Sequence, residues 1–411
     1  MHRGIISLAL AGCLVAAAIA AAAPAPEPRG PEANLRQPIV FYVAKGAPGS
    51  CGPGCSEWIA AEGIIDPAAE PRLWELLREL GNDRKLPVYF HSPGGAMPAG
   101  FEIGRLLRAR GLNAGVGWTV PATCDRKNPG DPACDALKRS GRELAAELDT
   151  RSGICASSCV YTILGGAVRD VGAGARLGIH DTSMPATIRS FDEDGHIVDR
   201  PLQMSAETAR IQLQRSQSGI AAYLKQMGVS PDLLKAAHAV SAEKLHILTR
   251  EEIVAFGIDR RDEVESAWSL VERPPGVSAV KLVEARDGEA GPFRKAMLSL
   301  TCRDQATVRL QYVREVGDAM ESGPATLRVS AGERSFPLMR LGSAAQEGDQ
   351  PRIEKLGAEL PLAALGAAAF VIETNASSAE SEGERPAFHL AVQAAAPALT
   401  ALARHCGVDA H

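Results

Sequence analysis

The sequence predicts an α/β domain followed by a small mainly-β domain. Before Pro274-Pro275-Gly276, apolar runs of strand type alternate with segments whose apolar residues recur every three or four positions, as in helices. That Pro-Pro-Gly tripeptide marks a boundary. Beyond it the apolar runs are short and alternate with polar residues, which favours a small β-sandwich or barrel.

The chain begins with the pattern of an export signal. An Arg and a long run of small apolar residues precede a Pro-rich stretch, which predicts a signal peptide over 1–23 and a linker over 24–37. The tetrapeptide ending at Cys13 also matches a lipoprotein box, although the apolar run continues past it. We therefore expect a periplasmic or secreted protein, with lipid anchoring through Cys13 left open. No second apolar segment is long enough for a membrane span.

The composition fits an exported enzyme or binding protein. The net charge is −5 and the basic residues are scattered, so no nucleic-acid partner is expected. Eight of the nine cysteines lie beyond the signal, and an even set in an exported chain predicts disulfides. We prefer Cys51–Cys55 and Cys302–Cys406 as pairs. Four cysteines remain. Cys124 and Cys134 either close their own loop or connect it to Cys155 and Cys159. Neither Cys51/Cys55 nor Cys155/Cys159 has a His at ligand spacing, so no metal is expected, and no cofactor is expected either.

The first domain contains strands and helices in alternation. The sequence predicts strands over 38–43, 58–65, 86–90 and 112–120, and helices over 71–80, from the residues after Gly95, over 206–227, 231–239 and 249–256. A segment over 121–153 interrupts this order, with a charged, helix-like piece over 136–148. Because it comes just before a conspicuous Ser-rich turn, we interpret it either as a lid or specificity loop or as a plain surface excursion.

Two stretches carry the pattern of a serine hydrolase. The strand over 86–90 leads into Ser92-Pro93-Gly94-Gly95, whose glycines allow a sharp turn that presents backbone N–H groups. Further on, Cys155-Ala156-Ser157-Ser158 opens a short apolar helix, and a strand follows that ends on His180. A serine at a helix start, a histidine at a strand end and a glycine turn are the parts of an acyl-transfer site.

These motifs, in this order, resemble those of the Clp protease proteolytic subunit and its crotonase-fold relatives, and more closely the exported, periplasmic Clp-protease-like proteins. The resemblance spans Ile39 to Asp259 and implies an α/β spiral of ββα units over 38–272. The short alternating runs beyond the Pro-Pro-Gly tripeptide predict the separate β-rich domain over 277–411. The resemblance implies that Ser157 is the nucleophile, with Ser158 as the alternative, and that His180 is the general base. It also implies that the N–H groups of Gly95 and Ala96 form the oxyanion hole. Relatives of this kind form rings or trimers, so a homo-oligomer is an open expectation.

One departure from the family pattern bears on activity. The resemblance places the acid of the catalytic triad at the position of Leu245, which has no carboxylate. Asp181, Asp170 and Glu243 are substitutes that the sequence does not place. The expected function is therefore an ATP-independent serine peptidase acting on peptides or unfolded proteins. The alternative is a catalytically silent module of the same fold that binds peptides or supports assembly.

Each motif also has a structural interpretation. Ser157 could serve only as the N-cap of its helix, since serine is a preferred cap. Gly94 and Gly95 could serve only to make a tight turn, and His180 could be a satisfied structural histidine. The structural and the catalytic interpretation predict different positions and hydrogen bonds for these side chains.

Overall fold

The structure is a computed structural model that describes residues 35–181, 187–191, 197–201, 205–273, 276–286, 290–316, 327–342, 351–366, 369–374, 390–393 and 397–406. The predicted signal peptide with Cys13 and most of the linker lie outside the described residues. No helix in the described ranges is long and apolar enough to cross a membrane.

The N-terminal domain is built from alternating strands and helices, as predicted. Its first elements are β1 (Val40–Lys45), β2 (Glu57–Glu62), α1 (Ala69–Leu80), β3 (Val88–His91), α2 (Met97–Arg110), β4 (Ala114–Val116), β5 (Trp118–Pro121), α3 (Pro132–Lys138), β6 (Leu144–Asp149), β7 (Ile154–Ala156), α4 (Ser158–Ile163), β8 (Arg169–Asp170) and β9 (Arg176–Ile179). They are followed by β10 (Thr187–Phe191), β11 (Ile197–Pro201), α5 (Ala206–Met227), α6 (Asp232–His238), β12 (His246–Ile247) and α7 (Arg250–Ala255).

Two sheets organise this domain. The larger has the strand order β5-β6-β1-β2-β3-β4-β8, and its β2, β3, β4 and β8 run parallel. The smaller has the order β12-β9-β7. Alternate residues of each strand face opposite sides, so Ile59, Val88 and Phe90 pack with α1 and α2 in the main core, whereas Trp58 and Tyr89 face a second cluster. A bridge from Ser92 to Cys155 joins the two sheets.

The segment over 121–153 is part of the larger sheet. Its second half is the strand β6, not the helix predicted over 136–148, because Leu144, Ala146 and Leu148 are buried at every second position. β6 pairs in parallel with β1 and antiparallel with β5. The segment therefore extends the sheet at one edge, and its helix α3 covers one face.

A buried ion pair fastens α3 to the sheet. Lys138 Nζ lies 2.6 Å from a carboxylate oxygen of Glu62, and the side chains are 3% and 1% exposed. The hydroxyl of Tyr42 donates to the other carboxylate oxygen at 2.5 Å. Burial, and then the Glu62 charge, raise the pKa of Tyr42, so the phenol stays a hydrogen-bond donor. A second tie is the Cys124–Cys134 disulfide.

The C-terminal domain is mainly β, as predicted. Its elements are β13 (Glu263–Glu265), β14 (Ser269–Arg273), β15 (Gly276–Arg286), β16 (Phe293–Cys302), β17 (Thr307–Val316), β18 (Leu327–Ala331), β19 (Arg334–Pro337), β20 (Met339–Arg340), β21 (Arg352–Pro361), β22 (Ala369–Thr374), β23 (Leu390–Gln393) and α8 (Pro397–His405). An antiparallel sheet in the order β13-β15-β16-β17-β21-β20, with β14 also on β15, shares one core with the sheet β19-β18-β22-β23 and with α8. The Cys302–Cys406 disulfide ties β16 to the end of α8.

Candidate active site

Ser157 occupies a sharp turn between β7 and α4. Its φ is 55° and its ψ is −125°, and among the described residues it is the one non-glycine residue with a positive φ. Such a conformation costs about 1–3 kcal/mol and persists only where the surroundings impose it. Nucleophilic serines of hydrolases sit on strained strand-to-helix turns of this kind, which expose the hydroxyl.

The hydroxyl of Ser157 does not cap α4. Ser157 stands at the N-cap position, yet its side chain accepts no hydrogen bond from the helix. Ser157 therefore does not have the N-cap role that the sequence left open. Ser157 is partly exposed, and its backbone N–H donates to Gly178 O at 2.8 Å.

Ser158, the alternative nucleophile, is in a different environment. It is 0% exposed, and its Oγ is buried without a hydrogen-bond partner. A substrate carbonyl carbon must approach the attacking oxygen closely. The geometry therefore favours Ser157 over its neighbour.

The glycine turn lies directly against Ser157. A Cβ on Gly94 would lie 2.5 Å from Ala156 O and 2.7 Å from Ser157 Cβ, and the residue has a φ of 97°. A Cβ on Gly95 would lie 2.2 Å from Ile65 O. Both positions thus require glycine for close approach as well as for the turn.

We expect Gly94→Ala to fold but to lose at least about tenfold in the rate at which a fluorophosphonate modifies the serine, because pushing the reacting groups apart by about 1 Å can cost a hundredfold. The rate of labelling and the thermal midpoint check this prediction. Gly81→Ala is the matched control, since Gly81 also has a positive φ but has open space around its Cβ position. Equal labelling rates in the two variants would contradict the close contact.

The backbone donors near Ser157 differ in part from those the resemblance implied. The Ala96 N–H donates to Ile65 O at 2.6 Å and is already engaged, whereas no hydrogen bond among the described residues uses the Gly95 N–H. The N–H of Ser158 is at the first position of α4, where a helix offers it no carbonyl. Since a Cβ on Gly94 would lie 3.0 Å from Ser158 N, the glycine turn and this N–H are neighbours. We revise the expected pair of donors from Gly95 and Ala96 to Gly95 and Ser158.

His180 lies at the same end of the small sheet as Ser157. β7 and β9 pair in parallel with Ala156 opposite Gly178, so the chain leaves the two strands side by side, at Ser157 and at His180. His180 is partly exposed, and its Nδ1 lies 2.9 Å from the backbone oxygen of Asp181. A carbonyl only accepts, so the neutral ring carries its proton on Nδ1 and leaves Nε2 as an acceptor.

Leu245 lies beside His180. β12 pairs antiparallel with β9 and places His246 opposite Ile179, so the next pair in register is Leu245 and His180. The Leu245 side chain lies over Gly178, where a Cβ would come within 2.6 Å of Cδ2, and it is 43% exposed. This is where the resemblance located the third catalytic group.

The three substitute acids differ in their positions. Asp170 is bonded to the Tyr89 hydroxyl at 2.6 Å and to Arg261 at 2.7 Å. Asp181 is next to His180, and burial followed by the charge of Asp181 raises the pKa of Tyr161, on α4, to about 12. Glu243 is exposed. Of the three, Asp181 is the one next to His180 in the chain.

All eight cysteines of the described chain are paired. The bonds are Cys51–Cys55, Cys124–Cys134, Cys155–Cys159 and Cys302–Cys406. They include the two preferred pairs, and the four remaining cysteines close their own loops. Four disulfides fit an exported protein.

Within the described ranges, no group of three His, Cys, Asp or Glu side chains could hold a metal ion.

Comparisons with known proteins add little to this geometry. No family model matches the chain, and no curated protein does. Among solved structures, a serine-to-alanine mutant of the 1510-N membrane-bound stomatin-specific protease matches at 13% identity over 48% of this chain and 73% of that one. The TM-score is 0.26. A likeness at that score carries no argument, so the proposals below rest on the geometry of the chain itself.

Proposed function

We propose that this protein is an exported, ATP-independent serine peptidase with a domain of the Clp-protease and crotonase type. The observation that supports it most directly is the strained, uncapped Ser157 between a glycine turn and a histidine-bearing strand end. A serine that only capped a helix would have an extended backbone and a bonded hydroxyl. A strain of about 1–3 kcal/mol with no local hydrogen bond in return is typical of a functional site.

In the proposed reaction, Ser157 Oγ attacks the carbonyl carbon of a peptide while Nε2 of His180 takes its proton. The N–H groups of Gly95 and Ser158 stabilise the oxyanion that forms. The Asp181 carbonyl keeps the ring of His180 in the required tautomer. Collapse of the tetrahedral intermediate releases the amine, which receives the proton from His180, and water then cleaves the acyl-enzyme by the same route.

The proposed substrates are short or already unfolded peptides. ATP-driven unfoldases work inside cells, so an exported enzyme of this type receives chains that are open before they arrive. Assembly into a homo-oligomer belongs to the same proposal.

The test is covalent labelling of the oxidised mature protein with a fluorophosphonate, followed by peptide mapping. We expect one adduct, on Ser157. No adduct at any serine, in protein whose four disulfides are intact, would overturn the proposal and favour the silent peptide-binding module. Leu245 favours this second candidate, because it occupies the position where the resemblance places the catalytic acid.

We expect Leu245→Asp to raise the labelling rate severalfold, because a carboxylate opposite His180 stabilises the imidazolium that forms during attack. Leu245 is exposed enough that the change costs little stability. Ile247→Asp, 39% exposed and two pairs further from His180 in the same register, is the matched control and should leave the rate unchanged. If Leu245→Asp folds and labels no faster, another group, such as Asp181, already supports the imidazolium.

A further inference from the structure

One disulfide brackets the proposed nucleophile. Cys155 is in β7, two residues before Ser157, and Cys159 is in α4, two residues after it. Both cysteines are 0% exposed, and their Cα atoms are 5.2 Å apart. The bond therefore closes a ring of five residues around the single turn in which Ser157 takes its positive φ.

The remaining contacts of the turn are backbone hydrogen bonds, including the one from the Ser157 N–H to Gly178 O at 2.8 Å. Ala156 N–H donates to Ser92 O at 3.0 Å on the incoming side, and Val160 N–H donates to Ser157 O at 3.1 Å on the outgoing side. The Ser157 side chain contributes no capping bond. Without the cross-link, an ordinary extended N-cap with its hydroxyl on α4 becomes available, and that conformation is less strained.

We propose that Cys155 and Cys159 are positioning residues: their disulfide holds Ser157 in the conformation that exposes its hydroxyl, so only the oxidised chain has a competent nucleophile. This inference rests on the proposed serine chemistry. Its consequence is regulation by compartment. Cysteines of a chain inside the cytoplasm are kept as thiols, whereas export brings them to an oxidant.

The activating step is thiol–disulfide exchange with an oxidant that itself carries a disulfide, on a small molecule or a protein. One thiolate, of Cys155 or Cys159, attacks a sulfur of that disulfide and forms a mixed disulfide. The other thiolate then displaces the oxidant, which leaves as a dithiol with both electrons and both protons. The peptidase is in this way silent at its site of synthesis and active outside it.

The experiment compares Cys155→Ala/Cys159→Ala with Cys51→Ala/Cys55→Ala in the full chain. The second pair is a matched control, because it also joins residues four apart, with Cα atoms 5.1 Å apart, and packs in a different core cluster from Cys155 and Cys159. Fluorophosphonate inactivation is resolved into a binding constant and a maximal rate, with the thermal midpoint measured alongside. We expect the maximal rate to fall at least about tenfold in the first variant, with the binding constant unchanged, since a shift of about 1 Å can cost a hundredfold. The control should keep the wild-type rate.

An unchanged maximal rate in a folded Cys155→Ala/Cys159→Ala protein would overturn the inference while leaving the proposed function intact. If the oxidised wild type itself is not labelled, the proposed function fails. The inference is then decided by the crystal structure of the variant, where a retained positive φ at Ser157 counts against it and an extended one supports it. If the double alanine variant does not fold, Cys155→Val/Cys159→Ala, which restores part of the lost volume, is measured in its place.

Discussion

Ser157→Ala is expected to abolish covalent labelling and peptide cleavage. Removing the nucleophile of a serine protease lowers kcat by about a million-fold, because no other group can form the acyl-enzyme. The fold should be preserved. Ser157 is partly exposed and its side chain makes no capping bond, so we expect the free energy of unfolding to change by less than about 1 kcal/mol. Labelling measured by intact mass, with chemical denaturation beside it, separates loss of chemistry from loss of fold.

Ser158→Ala is the matched control, one residue along the chain. Its Oγ is buried without a partner, and exchanging an unsatisfied hydroxyl for a methyl group is neutral or slightly stabilising. Labelling at the wild-type rate is therefore expected. If labelling survived in Ser157→Ala and vanished in Ser158→Ala, the nucleophile would move by one residue. Survival in both variants would exclude either serine.

Lys138→Met should lower the free energy of unfolding by about 3–5 kcal/mol, since it removes the buried cation that lies 2.6 Å from the Glu62 carboxylate. The Tyr42 hydroxyl still donates to Glu62 in this variant, but a neutral phenol does not replace a charge. Because the pair is almost completely shielded from water, the loss should depend little on salt. Urea unfolding at low and high ionic strength measures both quantities.

Two controls separate charge from packing. Glu62→Leu/Lys138→Met removes both partners and should recover most of the loss, because apolar replacements of a buried pair are often neutral. Lys45→Met removes the cation of the Lys45–Glu57 pair at the surface and should cost far less stability than Lys138→Met. A loss at Lys138 as small as that at Lys45 would mean that water reaches Glu62.

Local patterns in the sequence were enough to predict the order of strands and helices in the first domain and the mainly-β nature of the second. The exceptions include the strand predicted over 112–120, which is divided into β4 and β5, and β6, whose charged residues suggested a helix. The alternation of Leu144, Ala146 and Leu148 in β6 was the better guide, but a strand needs a partner, and β1, about a hundred residues earlier, cannot be inferred from periodicity.

The candidate site was predictable as a set of motifs but not as a set of roles. Two adjacent serines look alike in sequence, whereas in the structure Ser157 is partly exposed with a positive φ and Ser158 is fully buried. The donor status of Ala96 depends on a hydrogen bond to Ile65, thirty-one positions away. The signal that could have pointed to the Ser158 N–H was its place directly after the nucleophile at a helix start.

The start of the second sheet has a consequence for how the chain can be divided. β13 and β14 precede the Pro-Pro-Gly tripeptide yet pair with β15, whose Gly276 lies opposite Arg273. A protein cut at the predicted boundary would carry two orphan strands on its first fragment, with N–H and C=O groups open to pairing with other chains. If the two domains fold independently, the boundary between them lies between Asp259 and Glu263. A transfer of the β-rich domain to another protein would therefore have to include β13 and β14.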